Sequence, residues 1–354
     1  MVKPVKKGKG KAVAPELDAE ALLASARESL DRLDPSGAAA LCRQAVSADA
    51  SSVLAWDTLA EACLTCGEAE EAGRALHRSI ELSPAGAPGR YMYLAQLSDS
   101  PAEAVGWFEK GVAGLRAERE ALQQASGERS ELQAAWAEAT CALAVGLCSA
   151  AELYLTDLCD EPEAEGRCDA LTGEALQLVS DLPAEAVQVV EPFQTRASLK
   201  LSQEAYDDAE PLLLRALEVV RRAEEAEEGG GGVEMPSLEL RLALAKMLLE
   251  VDRHGDALEL LQGARVEARG RRRRREGREG RGLTVSPGAQ DDDSAEVRYL
   301  LATAALCAGE VDLAREEASG ALEWLQSEWA PAEQAEWLPQ LREVLAEAEG
   351  GEAA

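Results

Sequence analysis

Small and apolar residues recur along most of the chain at helical spacing, in paired segments that together span about 34 residues. The clearest pair covers 53–86, where Trp56 lies on the packing face of the first segment and Ala72 near the start of the second. Gly67 separates the two segments and Pro84 follows them. Since glycine permits a tight turn and proline ends a helix, this pattern predicts a hairpin of two α-helices.

The same arrangement returns along the chain, with a small residue wherever the second helix must approach the first. These positions are Ala38, Ala72, Ala104, Ala164, Ala209, Ala257 and Ala314. A repeat near 34 residues is typical of tetratricopeptide proteins. We therefore predict an all-α tetratricopeptide-repeat α-solenoid: a right-handed superhelix of about seven helical hairpins, plus a C-terminal capping helix over about 331–349.

Charged and glycine-rich stretches divide this array. The sequence predicts a disordered basic tail over 1–15, a repeat array over 16–349, and a disordered tail over 350–354. Two further stretches, 223–236 and 265–294, are rich in Glu, Gly and Arg and offer little apolar surface to bury. We expect both to be disordered loops that interrupt the array.

The charge of the chain limits its partners. Its 354 residues include 66 acidic and 36 basic ones, a net charge of -30. The first 12 residues hold five lysines, and 269–281 holds eight arginines against two glutamates, so the rest carries a net charge near -41. Such a body repels phosphate backbones, which makes nucleic acid an improbable partner except through Arg269 to Arg281, and favours a cationic one.

Chemistry-bearing residues are sparse. The two histidines, His77 and His254, have no neighbouring residue at a spacing that suggests a catalytic relay, and we expect them on the surface or in turns. The spacing of Cys63 and Cys66 could suggest a zinc or redox site, but no second pair accompanies it, so we expect Cys63 to pack in the core. We therefore predict no enzyme, no catalytic or cofactor-binding residue, no metal site and no cofactor.

Membrane insertion is not predicted either. The longest run without a charged residue, Ala139 to Ala151, has 13 residues, fewer than the roughly 20 that a membrane helix needs.

The inner face of the hairpin at 53–86 should carry recognition residues. By their positions in the first helix these are Leu54, Asp57, Glu61, Leu64 and Thr65. Asp57 and Glu61 would repel an acidic peptide and attract Lys or Arg. We expect both to be exposed and to bind a partner, and the alternative is that they are merely solvated.

Three stretches resemble one family more closely than a generic repeat does. They are GRYMYLAQL at 89–97, EAVGWFEKGV at 103–112 and AAELYLTDLCDEPEAEGRCDALTGEALQL at 150–178. The family is the dedicated tetratricopeptide-repeat assembly chaperones of ribosomal protein uL4, and the similarity covers roughly 15–345. The Gly/Arg-rich insertion at 265–294 and the Gly linker at 229–232 depart from it.

The resemblance implies a function. Family members hold newly made uL4 by its long basic internal loop and accompany it to the nuclear pre-60S particle. It implies a monomer in a 1:1 complex, found in cytoplasm and nucleus, and places groove candidates in the matching block at Tyr154, Thr156, Asp157 and Glu161.

Two other hypotheses remain open at the level of sequence. One is a generic tetratricopeptide scaffold or adaptor for a protein complex, whose groove should carry Lys or Asn where this chain has Asp57 and Glu61. The other is an RNA-associated factor that works through Arg269 to Arg281, a run that could also direct nuclear import or be a solvated insertion.

Overall fold

A computed structural model describes residues 18–125, 127, 129–228, 235–265, 295–326 and 332–350. Within these ranges the chain is helical and contains no strand, as the sequence predicts. It divides into two compact units, unit 1 (Met1–Leu132) and unit 2 (Gln133–Ala354), and the boundary falls in the first turn of one helix. Several stretches lie outside the described residues: the expected tail 1–15, 229–234 of the acidic linker, the arginine-rich stretch 266–294, and 351–354 of the tail expected over 350–354. Gly350 is described and ends the last helix, so that tail does not begin at 350.

Unit 1 consists of three hairpins whose successive helices pack on one another. The helices are α1 (Ala19–Asp31), α2 (Pro35–Ala48), α3 (Val53–Cys66), α4 (Ala69–Leu82), α5 (Gly89–Gln96) and α6 (Pro101–Gln124). Helix α7 (Arg129–Leu155) begins at the end of this unit.

Unit 2 continues with four more hairpins and a last helix. The elements are α7, α8 (Ala164–Ser180), a 3-10 turn (Ala184–Ala186), α9 (Glu191–Ser202), α10 (Tyr206–Glu228), α11 (Leu238–Glu250), α12 (254–265), α13 (Ala295–Cys307), α14 (Val311–Leu325), a second 3-10 helix (Ala332–Trp337) and α15 (Leu338–Gly350). Helix α15 packs on α13 and α14 through Leu341 and Val344, as expected of a capping helix.

Side chains at the helix starts explain why the helices begin where they do. The Asp34 carboxylate accepts a hydrogen bond from the N–H of Gly37, and Pro35 fills the first helical position of α2. Ser100 does the same for Glu103 ahead of Pro101 in α6. These caps satisfy amides that the helix itself leaves unpaired, and proline there sacrifices no hydrogen bond.

The seven alanines that the repeat pattern singles out are all buried, none more than 3% exposed. Each lies near the start of the second helix of its hairpin. A methyl group there lets two helix backbones approach closely, and a larger side chain would hold them apart. The predicted repeat register is therefore confirmed in the described part of both units.

Five of the turns inside hairpins share one backbone geometry. Their central residues have positive φ angles: Leu33 (60°), Gly67 (75°), Glu204 (58°), Asp252 (58°) and Gly309 (84°). In every case the N–H of the next residue donates to the carbonyl five residues earlier, at 2.8 to 2.9 Å. This is the Schellman ending of an α-helix, in which glycine is the favoured central residue. Only two of the five are glycine, so the other three turns carry backbone strain.

Three further predicted boundaries need correction. Helix α10 runs to Glu228, six residues into the stretch expected to be a loop from 223, because Ala223 is buried and continues the packed face of that helix. The loop expected from 265 does not include Arg265, which is the last described residue of α12 and forms an ion pair with Glu317. The capping helix expected from about 331 is split, with a 3-10 helix before α15.

Helix α7 alone among the described helices is long and apolar enough to cross a membrane by length and composition. The mean hydropathy of its most apolar 18 residues is 1.4, and 56% of that window is buried within the protein. Leu143, Ala144 and Leu147, each no more than 1% exposed, belong to this buried part. Core packing in unit 2 uses the apolar face of this helix.

Candidate binding surface

Asp57 is half-buried and paired, so the expectation that its side chain is exposed is wrong. Its Oδ2 lies 2.7 Å from Nη2 of Arg90, and its Oδ1 accepts a hydrogen bond from the Ser79 hydroxyl. Arg90 in turn donates from Nη1 to the carbonyl of Ser83. Asp57 therefore ties α3 to α4 and α5, since a nearly buried guanidinium needs a carboxylate partner.

Glu61 is exposed one turn further along α3, and no ion pair joins it to any described residue. Exposed Leu54 and Thr65 share the helix with it, and Thr65 donates its hydroxyl to the Glu61 carbonyl. Of the two acids predicted on this face, Glu61 alone is free to meet a cation.

Tyr154 is also placed differently from the prediction, because it is buried at 7% exposure. Arg167 on α8 donates from Nη1 to the Tyr154 hydroxyl at 2.9 Å, and its guanidinium lies 5.5 Å from the centre of the ring. The tyrosine ring fills the core while its hydroxyl finds a polar partner. Tyr154 holds the end of α7 against α8 and is not available to a partner.

The other candidates, Thr156, Asp157 and Glu161, are exposed in the connection between α7 and α8. The Thr156 hydroxyl donates to the Glu152 carbonyl at 2.8 Å and lies 3.3 Å from Asp157 Oδ2, which fixes the start of the connection. Among the described residues no cation forms an ion pair with Asp157 or Glu161. Their carboxylates face solvent.

Further acids extend this surface beyond the predicted residues. Glu165, at the start of α8, accepts a hydrogen bond from Gln203 Nε2 at 2.7 Å, which joins the connection to the turn between α9 and α10. We call the exposed carboxylates of these two places the acidic edge of unit 2: Asp157, Asp160, Glu161, Glu163, Glu165, Glu204, Asp207 and Asp208. The acids at the turn between α9 and α10 could have been predicted from the repeat pattern, since acids are favoured in the first turn of a helix.

A second acidic cluster, in unit 1, is already neutralised. Cys63, Glu68 and Glu71 could place three ligand atoms within 4.8 Å of one another. Arg43 occupies the cluster, with Nη2 2.8 Å from Glu71 and an ion pair to Glu68, and its hydrogen bond lowers the pKa of the Glu71 carboxyl. Burial raises the pKa of the Cys63 thiol to about 12, so the sulfur keeps its proton. The arrangement suits a guanidinium rather than a metal ion.

The remaining cysteine and histidine predictions agree with the structure. Cys63 is fully buried in the core, as predicted. His77 is exposed and its ring meets that of Trp107 edge-on at 5.6 Å. His254 follows the turn after α11, with Nε2 3.6 Å from the Asp252 carboxylate.

Two curated proteins are similar to this chain in sequence. No model of a protein family matches the chain. A protein of Schizosaccharomyces pombe named a probable assembly chaperone of rpl4 is 32% identical over 187 residues, covering 53% of this chain and 49% of the relative. One of Emericella nidulans with the same name is 29% identical over 217 residues, covering 58% and 48%. The chain thus spans about half the length of the curated relatives it matches.

Solved structures agree. A structure of an assembly chaperone of RpL4, residues 1–338, matches with a TM-score of 0.61 and 27% identity, over 86% of this chain and all of that one. The APC/C hetero-tetramer Cut9–Hcn1 matches with a TM-score of 0.51 and 10% identity, over 93% of this chain and 54% of that one, which bears on the fold alone. The resemblance read from the sequence is thereby confirmed: the chain is a tetratricopeptide-type helical-repeat protein related to proteins named assembly chaperones of rpl4.

Proposed function

We propose that this chain is a dedicated chaperone of ribosomal protein uL4, a binding protein and not an enzyme. The observation that carries the proposal is the similarity to relatives named assembly chaperones of rpl4, in sequence over half of the chain and in structure over most of it. The charge of the chain supports it independently, because a net charge of -30 suits a basic client.

The client is held through its basic extended loop, and acids of this chain bind that loop. Glu61 in unit 1 and the acidic edge of unit 2 supply solvent-facing carboxylates. Of these, Glu61, Asp157 and Glu161 form no ion pair with a described residue, whereas Glu163 pairs with Arg167 at 3.8 Å. Charge complementarity speeds capture and shields the loop from adventitious RNA. Asp57 and Tyr154 take no part in binding, since both are committed to packing contacts.

Escort to nuclear pre-60S particles in a 1:1 complex, with residence in cytoplasm and nucleus, belongs to the same proposal. Release occurs by exchange, because rRNA offers the basic loop a denser array of phosphates than the chaperone offers carboxylates. Incubating the purified complex with rRNA fragments at physiological salt tests this step. Retention of all uL4 on the chaperone would count against exchange.

Co-purification tests the proposal as a whole. The tagged full chain, expressed in a eukaryotic host, should enrich uL4 above all other ribosomal proteins, and co-expression should keep uL4 soluble. A scaffold or adaptor would instead enrich the same set of non-ribosomal proteins in every preparation, without raising the soluble yield of uL4. That result would replace the proposed function with the alternative.

A further inference from the structure

A hollow of about 340 Å³ lies on unit 2 between the end of α8 and α10. Its floor is apolar and buried, formed by Val179, Leu182, Val187 and Phe193. Because one water takes up only about 30 Å³, the hollow has room for several waters. Those waters find few hydrogen-bond partners on an apolar floor. Replacing that water by an apolar group is favourable, so the hollow is suited to an apolar side chain.

The walls explain why no side chain of the described residues fills the space. Ser180 and Ala184 are small and exposed on one side, where the 3-10 turn carries the chain away from α8. Pro211 and Leu212 of α10 form the other side. Proline at position 211 has no N–H, so α10 lacks one helical hydrogen bond beside the hollow.

The one cationic wall is held in place. Arg215 lies over the ring of Phe193, 6.0 Å from its centre, and pairs with Glu218 at 2.5 Å. Its guanidinium therefore forms a flat side of the hollow and its charge is already matched.

Exposed acids flank the lining residues along the chain. Asp181 and Glu185 lie between residues that line the hollow, Asp208 precedes Pro211 by one helical turn, and all three are exposed. Two arginines of the described residues lie at the hollow: Arg215, and Arg222, which donates to the carbonyl of Ala184. Since Arg215 is paired with Glu218, three exposed acids face one further arginine here, and this excess of acid favours a basic segment.

We infer that this hollow binds one bulky apolar side chain of the basic client segment, with a neighbouring Lys or Arg of that segment paired to the acids at the opening. The inference rests on the proposed function and adds an apolar anchor to it. Exposed charges speed encounter but are screened by salt, whereas a desolvated apolar contact slows dissociation. Such an anchor also distinguishes one basic protein from the many others in a cell.

Filling the hollow tests the inference. In the full chain, Ala184→Trp fills it from the turn and Ser180→Phe from the end of α8, without removing a buried atom. Ala346→Trp, at an exposed position of α15, is the matched control. The probe is purified full-length uL4, titrated by calorimetry at 150 mM salt, and circular dichroism melting verifies that each variant is folded.

We expect at least 10-fold weaker binding for both filled variants and no change for the control. A second arm replaces each large apolar residue of the uL4 loop by Ala: one replacement should weaken binding at least 10-fold to the unmodified chain and have little effect with Ala184→Trp. Undiminished binding of the two folded, filled variants would overturn the inference while the proposed function stands. If uL4 does not bind the unmodified chain, the proposed function fails and the inference fails with it.

Discussion

Asp57 and Arg90 form an ion pair across the boundary between two hairpins, with 2.7 Å between Oδ2 and Nη2 and side-chain exposures of 29% and 9%. The pair is not local, since 33 residues separate its members. Asp57 is the residue expected to bind a partner, and Arg90 lies in the stretch 89–97 that resembles the uL4 chaperones. The pair holds α3 against α5. A binding experiment on Asp57 would therefore report on folding.

Removing this carboxylate should destabilise unit 1. In Asp57→Ala the guanidinium of Arg90 stays nearly buried without its partner. We therefore expect the free energy of unfolding to fall by about 2–3 kcal/mol. This is less than the cost of breaking a wholly buried pair, because Asp57 is partly exposed. Urea unfolding followed at 222 nm measures it. Glu61→Ala on the same helix is the control and should change stability by no more than about 0.5 kcal/mol. Equal losses would mean that the pair contributes nothing.

Gly86 leaves room for Arg90, which gives a second prediction. A methyl group at position 86 would overlap the Arg90 guanidinium and push it away from Asp57. Gly86→Ala should therefore destabilise the protein by about 1–2 kcal/mol, and by much less when Asp57→Ala is already present, since the pair can be lost only once. Strict additivity in this double-mutant cycle would contradict the explanation.

Strain in the hairpin turns can be relieved. Leu33, Glu204 and Asp252 adopt positive φ, which costs residues other than glycine roughly 1–2 kcal/mol. Replacing Leu33 by Gly removes this cost, but glycine also has greater freedom in the unfolded chain, which offsets part of the gain in stability. Leu33→Gly should therefore stabilise the protein by about 0.5–1 kcal/mol. Gly309→Ala should have the opposite sign at the equivalent position. Thermal unfolding compares the two, and a lower melting temperature for Leu33→Gly would be incompatible with the strain.

Charge reversal on the acidic edge of unit 2 should weaken uL4 binding. Asp157→Lys combined with Glu161→Lys should raise the Kd at least 10-fold at 50 mM salt, with a smaller effect at 300 mM because exposed charges are screened. The matched control reverses two exposed acids of α15, Glu343 and Glu347. If both pairs weaken binding equally, overall charge rather than this edge captures the client.

Alkylation of the cysteines should distinguish buried thiols, whose pKa is raised, from an exposed one. Burial raises the pKa of Cys42 and Cys168 to about 11 and that of Cys63 to about 12, whereas Cys159 is exposed. At pH 8 iodoacetamide should modify Cys159 in the folded protein and the three buried thiols only in urea, as mass spectrometry of peptides would show.

The same pKa shifts set the direction of an alkaline effect. A thiol whose pKa is higher in the folded than in the unfolded state contributes stability fully below the unfolded pKa of about 8.5, and that contribution is lost as pH rises. The free energy of unfolding should fall between pH 9 and 11. The fall should be shallower in Cys63→Ala, and an unchanged slope would exclude this thiol as a cause.

The repeat register was predictable because it depends on short-range spacing. Ala72, Gly67 and Cys63 occupy the positions that the 34-residue pattern assigns to them. Exposure was less predictable, because it depends on partners distant in sequence. Nothing near Asp57 shows that Arg90 will pair with it, and nothing near Tyr154 shows that Arg167 will donate to its hydroxyl.

Asp157 and Glu161 are exposed because they follow the end of an apolar helix and no described element covers them, and their role in binding stays a prediction. The hollow beside Phe193 had no signal in sequence, because it is a space left between α8, a 3-10 turn and α10. Packing defects of this kind depend on the positions of several backbones at once.

The repeated turn has a consequence for how the array forms. Each of the five turns closes through a hydrogen bond between residues only five positions apart, so a hairpin can nucleate without waiting for the distant ends of the chain. Neighbouring hairpins then add one at a time, and a ribosome still synthesising the C-terminal helices leaves the N-terminal hairpins free to fold.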